Sequence, residues 1–242
     1  MKPLLAQLRA ELQITLRNGE QLLLTLGIPV LLLVFFSLVD VLPKGDATKS
    51  VDFLAPGVLA LAVMSTAMVS VGIATGFERG YRVLKRLGAT PLGRGRLLAA
   101  KITAVTVVEL LQFAVLVPVA LALGWRPEHT DWFRSILAVI LGTVAFGGLG
   151  LLMAGRLRPE VNLGAQNGLY LVLLLLGGMV IPLARLPIGL RAVARGLPSG
   201  ALAESMRCAL TGVADNSRLA WLVLGIWAAI TPLIASATFR WE

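Results

Sequence analysis

Apolar positions along the chain fall into six long runs, Gln21 to Val41, Phe53 to Phe77, Ile102 to Gly124, Ile136 to Ala154, Leu163 to Leu183 and Leu219 to Thr238. A helix needs about 20 residues to cross roughly 30 Å of hydrocarbon, and each run is long enough. Only a helix, among open-ended segments, satisfies its own backbone hydrogen bonds in lipid, so the pattern predicts six transmembrane helices. Pro29, Pro118, Gly147, Gly148 and Pro232 lie inside runs, where membrane helices tolerate them. Gly72 with Gly76, and Gly164 with Gly168, repeat the small-xxx-small spacing that lets helix backbones approach. The plain expectation for both pairs is packing within one chain.

The first segment, 1–19, behaves differently. Arg9, Glu11, Gln13 and Arg17 interrupt it, and Leu4, Leu5, Leu8, Leu12 and Leu16 share an arc of about 120° on a helical wheel. That pattern predicts a helix lying on a membrane surface. A secretory signal is the competing reading, but the run after it is span-length and no small-x-small cleavage site follows in Asp40-Val41-Leu42-Pro43-Lys44.

Composition agrees with this pattern. Of 242 residues, 57% are hydrophobic and 14% charged, against roughly 45–50% and about 25% in soluble domains. A water-soluble enzyme, a disordered chain and a disulfide scaffold are all excluded, the last because there is one Cys. A single transmembrane domain, 1–242, is expected, with no room for a separate soluble one. The net charge of +9 lies between the apolar runs, which argues against nucleic-acid binding. With both termini in the cytoplasm, thirteen Lys and Arg fall inside and nine outside, five of those in the long connection 184–218.

The connection 78–101 holds the densest positive charge. Drawn as a helix, Arg79, Arg82, Lys85 and Arg86 occupy one arc, and Tyr81, Val83, Leu84 and Leu87 the other. One face suits water or acid and the other an apolar groove. Pro91, preceded by Thr90, ends or turns that helix. Composition alone is satisfied by a basic loop that fixes topology and touches anionic lipid.

The order of residues says more. Glu78-Arg79-Gly80, an amphipathic turn, and then Ala89-Thr90-Pro91-Leu92 ahead of Lys101 resemble the cytoplasmic coupling segment of ABC-2 type permeases, the membrane subunits of type-2 ABC exporters. Gly178-Met179-Val180-Ile181-Pro182-Leu183 with Leu186-Pro187, then Leu197-Pro198-Ser199-Gly200-Ala201-Leu202-Ala203-Glu204-Ser205-Met206-Arg207, are similar to that family's end of span five and its extracellular re-entrant helices. The Leu-, Ala-, Gly- and Arg-rich style resembles the daunorubicin-resistance branch. The resemblance implies an all-α integral membrane fold in a bacterial plasma membrane. It also implies docking of two ATPase subunits through Glu78, Arg79, Gly80, Tyr81, Arg82, Leu84, Leu87, Thr90, Pro91 and Leu92, and pairing with a second permease chain. ATP and Mg would sit on the ATPases, because no Gly-x-x-x-x-Gly-Lys-Ser/Thr occurs here. The compound moved outward is expected to be hydrophobic or amphipathic, a drug or antibiotic before a lipid.

Other chemistry is thin. His129 has no second His or Cys beside it, Cys208 has no partner for a disulfide, and Ser199, Ser205 and Glu204 lack a paired base. Glu109 and Gln112, three residues apart in the third run, and Gln166 with Asn167 in the fifth are the candidate intramembrane polar residues. For Glu109 three roles stay open: a structural hydrogen bond to another span, part of a substrate or switching site, or a proton-coupling carboxylate. The last would suit a secondary transporter, and a non-transporting scaffold is a third class. Gln166 and Asn167 suit helix-end capping or an access gate.

Overall fold

The computed structural model of the protein describes residues 2–17, 19–39, 50–88, 93–127, 130–212 and 217–238. These form α1 (Lys2–Arg17), α2 (Gly19–Leu38), α3 (Ser50–Met64), α4 (Val71–Gly80), α5 (Val83–Gly88), α6 (Gly93–Ala122), α7 (Trp132–Ala154), α8 (Pro159–Leu176), α9 (Ile188–Gly196), α10 (Pro198–Thr211) and α11 (Ser217–Thr238). A π-helical stretch, Ser65–Ser70, joins α3 to α4 in one long helix. Among the described residues there is no strand. Four helical stretches there are long and apolar enough to cross a membrane, Ser50–Gly80, Ala100–Ala122, Trp132–Ala154 and Arg218–Thr238. The apolar part of α2, Thr25–Leu38, is shorter, and α8 mixes Glu160, Asn162, Gln166 and Asn167 into its first half.

The long α3–α4 helix is the axis of the bundle. From Leu54 to Met64 every residue is buried, which explains why this run is apolar on all sides. Around it pack α2, α6, α7 and α10. α11 packs on α7 and α10 and turns Leu222, Ile226, Ile230 and Leu233 outward, where lipid is the matching solvent. Gly148 lets α11 approach so closely that a Cβ there would overlap Thr231 and Pro232.

Several boundaries differ from those expected. The fifth run was expected to continue to Leu183, but α8 stops at Leu176. Gly178 takes φ +65°, a conformation that favours glycine, and its carbonyl receives the Arg207 guanidinium. Arg207 also lies 4.0 Å over the Phe53 ring, and desolvation lowers its pKa to about 10, with Glu204 opposing the shift. The basic connection is not one helix. α4 ends at Gly80, Arg82 takes φ 59°, and α5 restarts at Val83, which splits the basic arc. α6 opens at Gly93 rather than 102, since Leu97-Leu98-Ala99-Ala100 are strong helix formers with nothing to stop them. Lys101 is therefore inside a helix. Within the segment expected as re-entrant, α10 is packed into the core through Ala201, Leu202, Met206 and Leu210. Trp125 is buried, whereas Trp132 is exposed, where an aromatic belt at a membrane interface would place it.

The two glycine pairs separate cleanly. Gly72 and Gly76 are buried against Gln166 and Asn162, whereas Gly164 and Gly168 face open space. Gly72→Ala would drive its Cβ into the Gln166 carboxamide and within 3.0 Å of Gly150 Cα. Overpacking of that kind costs about 1–3 kcal/mol, or a fall of several degrees in the thermal midpoint of a chain this size. Gly164→Ala should leave the midpoint unchanged or slightly raised. Thermal unfolding of both variants in detergent, followed by tryptophan fluorescence, checks this; equal midpoints would contradict the packing described.

Candidate functional site

At the lower end of α4 three charged side chains from distant segments meet. Lys101 Nζ of α6 lies 2.8 Å from the Glu78 carboxylate of α4 and 3.1 Å from Glu11 of α1. α1, expected as a surface helix, turns Leu5 outward and Glu11 inward to make this contact. The next residue faces elsewhere. The Arg79 guanidinium donates to the carbonyls of Gly155 and Leu157, each at 2.6 Å, where α7 has run out of helical partners. Gly80 lies against Pro159 at the start of α8, closely enough that a Cβ would strike the ring. Tyr81 stacks on Phe77 with ring centroids 6.0 Å apart and is otherwise exposed.

α5 is held by Leu84, which is 1% exposed, while Arg82, Lys85 and Arg86 remain on the surface. Of the other residues assigned to this segment, the side chain of Leu87 and the whole of Thr90, Pro91 and Leu92 lie outside the described residues. So does His129.

The intramembrane polar residues do different jobs. Glu109 is buried and receives the Thr143 hydroxyl of α7 at 2.8–2.9 Å, a hydrogen bond to another helix. Gln112 joins three helices: its Oε1 accepts from Thr66 in the π-helical stretch and its Nε2 donates to the Thr25 carbonyl of α2, both at 2.9 Å. Thr25 is four residues before Pro29, which has no N–H, so that carbonyl lacks its helical donor and Gln112 supplies one. Gln166 donates to Gly150 O at 2.9 Å, and Asn162, one turn before it, to Gly72 O at 2.9 Å. Asn167 points away from both, exposed, with its carboxamide on Leu163 O.

A groove of about 870 Å³ runs beside these contacts, walled by α1, α2, the π-helical stretch, α4 and α8. Glu78, Tyr81 and Asn167 reach its wall; Glu109, Gln112 and Gln166 do not and are spent on helix contacts, that of Gln112 reaching Thr25 in the wall. The structure thus brings Glu78 and Asn167 to one cavity and leaves Glu109 outside. Sequence reading missed Glu11, Thr66, Asn162 and Thr143. Asn162 and Gln166 had a signal, lying four apart on one helix face as Gly72 and Gly76 do. Glu11 and Lys101 had none, being 90 residues apart. Among the described residues no three His, Cys, Asp or Glu side chains are grouped to hold a metal ion.

Residues 3–210 match the ABC-2 type transporter family. The protein named "Putative transport permease YvfS" from Bacillus subtilis (strain 168) is 26% identical over 200 residues, covering 82% of each chain. The match takes in the Glu11–Lys101–Glu78 cluster, the groove and most of α10. This chain belongs to the ABC-2 type transporter family.

Proposed function

We propose that the chain is the transmembrane permease subunit of an ATP-binding-cassette exporter. It would have six spans and both termini in the cytoplasm of a bacterial cell, and would pair with a second permease chain, identical or homologous. Two ATPase subunits holding ATP and Mg would dock on α5 and drive the outward movement of a hydrophobic or amphipathic compound, a drug or antibiotic in the first instance and a lipid in the second. Family membership supports a transport permease. The observation that carries the ATPase reading is the mounting of α5. Leu84 anchors it from beneath, Arg79 and Gly80 fasten its base to α7 and α8, and the exposed Arg82 and Arg86 suit an acidic partner. A push on α5 is then delivered to three helices at once.

A proton-coupled carrier built on Glu109 receives less support, because that carboxyl is occupied by Thr143 and lies away from the groove.

Co-expression with ATPase subunits of the same genome, followed by affinity purification, should yield an intact complex. Arg86→Glu on the exposed side of α5 should weaken association at least tenfold without moving the thermal midpoint. Glu78→Ala should keep the complex but lower export about tenfold by unfastening Lys101. Absence of any stable ATPase partner, or full export and ATPase stimulation by Glu78→Ala, would refute the assignment. Glu109→Gln retains an acceptor for Thr143 and should export within about twofold of the parent between pH 6 and 8; abolished transport would favour the proton-coupled carrier.

A further inference from the structure

Residues 183–197 carry three arginines and no acid, on the side of the chain where positive charge is disfavoured. Coupling at α5 leaves them unused, and α9 shows how they are disposed. One side of this helix rests on the bundle: Ala194 is buried against Gly200 of α10, and the Gly196 carbonyl accepts from Trp227 Nε1 of α11 at 2.9 Å. Its two edges differ in polarity. Arg191 and Arg195, one turn apart, lie along one edge, and Leu190 and Val193 lie along the other. Leu190 is 45% exposed, Val193 54%, and Ile188 on the outward side 85%.

The edges face different levels of the membrane. Arg195 shares a small pocket with Leu219 and Ala220 in the first turn of α11, whereas Trp227, which holds Gly196, lies about 10 Å further along that helix. The arginine edge therefore looks toward the membrane surface and the Leu190–Val193 edge toward its interior. Arg191 turns back onto the carbonyls of Ala184 and Leu186 and closes the turn ahead of α9. Arg185, exposed at the end of that turn, and Arg195 form no ion pair among the described residues. Glu204 lines the same pocket from α10, but the buried Arg207 guanidinium offsets it. An acidic protein surface would match the arginines and leave the Leu190–Val193 edge bare. A bilayer of anionic phospholipid supplies phosphate and acyl chain one above the other, within the roughly 5–10 Å depth of an interfacial helix.

We infer that α9 anchors the chain to the anionic phospholipid surface of the leaflet opposite α5, with head-group phosphates on Arg185 and Arg195 and acyl chains along Ile188, Leu190 and Val193. The anchor goes beyond the permease reading and depends on neither an ATPase nor a cargo.

The test uses the full chain with Cys208→Ser and Val193→Cys, the new thiol carrying a bimane fluorophore, in phosphatidylcholine nanodiscs. The quencher is a phospholipid brominated on its acyl chains, with either a phosphatidylglycerol or a phosphatidylcholine head group at the same mole fraction. Quenching by the phosphatidylglycerol form is expected to be about threefold the stronger. Arg185→Gln with Arg195→Gln should make the two lipids equal without abolishing quenching, whereas Arg185→Lys with Arg195→Lys should keep the preference. Raising salt from about 0.05 to about 0.5 M should narrow it in the unsubstituted arginine background, so the outcome does not hang on how the variants fold. Equal quenching by the two lipids at low salt, or a preference that survives both the Gln pair and high salt, overturns the inference. So does an absence of quenching by either lipid, or a disulfide between two copies through Ile188→Cys, since protein would then cover α9.

Discussion

A backbone carbonyl without a donor costs several kcal/mol in lipid, and much of this chain's polar chemistry is spent avoiding that cost. Its helices are not continuous. Pro29 interrupts α2, a π-helical stretch divides the α3–α4 helix, α7 stops at Ala154 and α8 at Leu176. At each of these places a side chain from another helix is present. Gln112 serves Thr25 and engages Thr66, Arg79 serves Gly155 and Leu157, and Arg207 serves Gly178. Asn162, Gln166 and Thr231 add donors to the carbonyls of Gly72, Gly150 and Ala145. Each bond contributes only about 1 kcal/mol net, but leaving its acceptor bare costs more, so at these four places the interruption coincides with a helix contact.

The same constraint disposes of the charges. A guanidinium at a helix C-terminus meets bare carbonyls and the negative end of the dipole together, which makes the end of α7 a natural seat for Arg79. Lys101 has no such seat. It lies in a helix among apolar neighbours and is compensated by two carboxylates, one from each of two other helices. A buried ion held that way contributes little net stability, yet removing either partner leaves charge uncompensated. The cluster therefore specifies how α1, α4 and α6 meet more than it strengthens them.

Positions whose physics is local were readable from the chain, and those set by distant partners were not. The runs that became Ser50–Gly80, Ala100–Ala122, Trp132–Ala154 and Arg218–Thr238 announced themselves because a span must be apolar along its whole length. Gly72 and Gly76 were readable as a close-packing face, though what packs there, Gln166 and Asn162, was not. The halt of α8 at Leu176 depends on Gly178 and on an arginine 29 residues away, and the apolar letters that follow gave no warning. The break at Tyr81–Arg82 was hidden because Arg82 sits in a left-handed conformation that nothing in its identity suggests. Glu109 could be placed inside the bundle by its cost alone, but only Thr143 shows what satisfies it.

The distribution of fastenings decides how force at α5 would spread. On one side α4 is tied to α7 by Arg79 and to α8 by Gly80, Asn162 and the Gly72–Gln166 contact, all uncharged or helix-end contacts over two turns or more. On the other side, among the described residues, its ionic contact with α1 and α6 is the Lys101 cluster. A rigid connection and a hinged one flank the same helix end. The groove lies on the hinged side, between α1, α2 and α4, and its far wall is the π-helical stretch, where an extra residue in the turn already loosens the ladder. Displacing the Glu78 end would carry α7 and α8 with it while α1 and α2 lagged, and the space between the two groups is the groove. On the proposed reading the cavity's width and the position of α5 would change together, with the Lys101 bridge setting the resting distance.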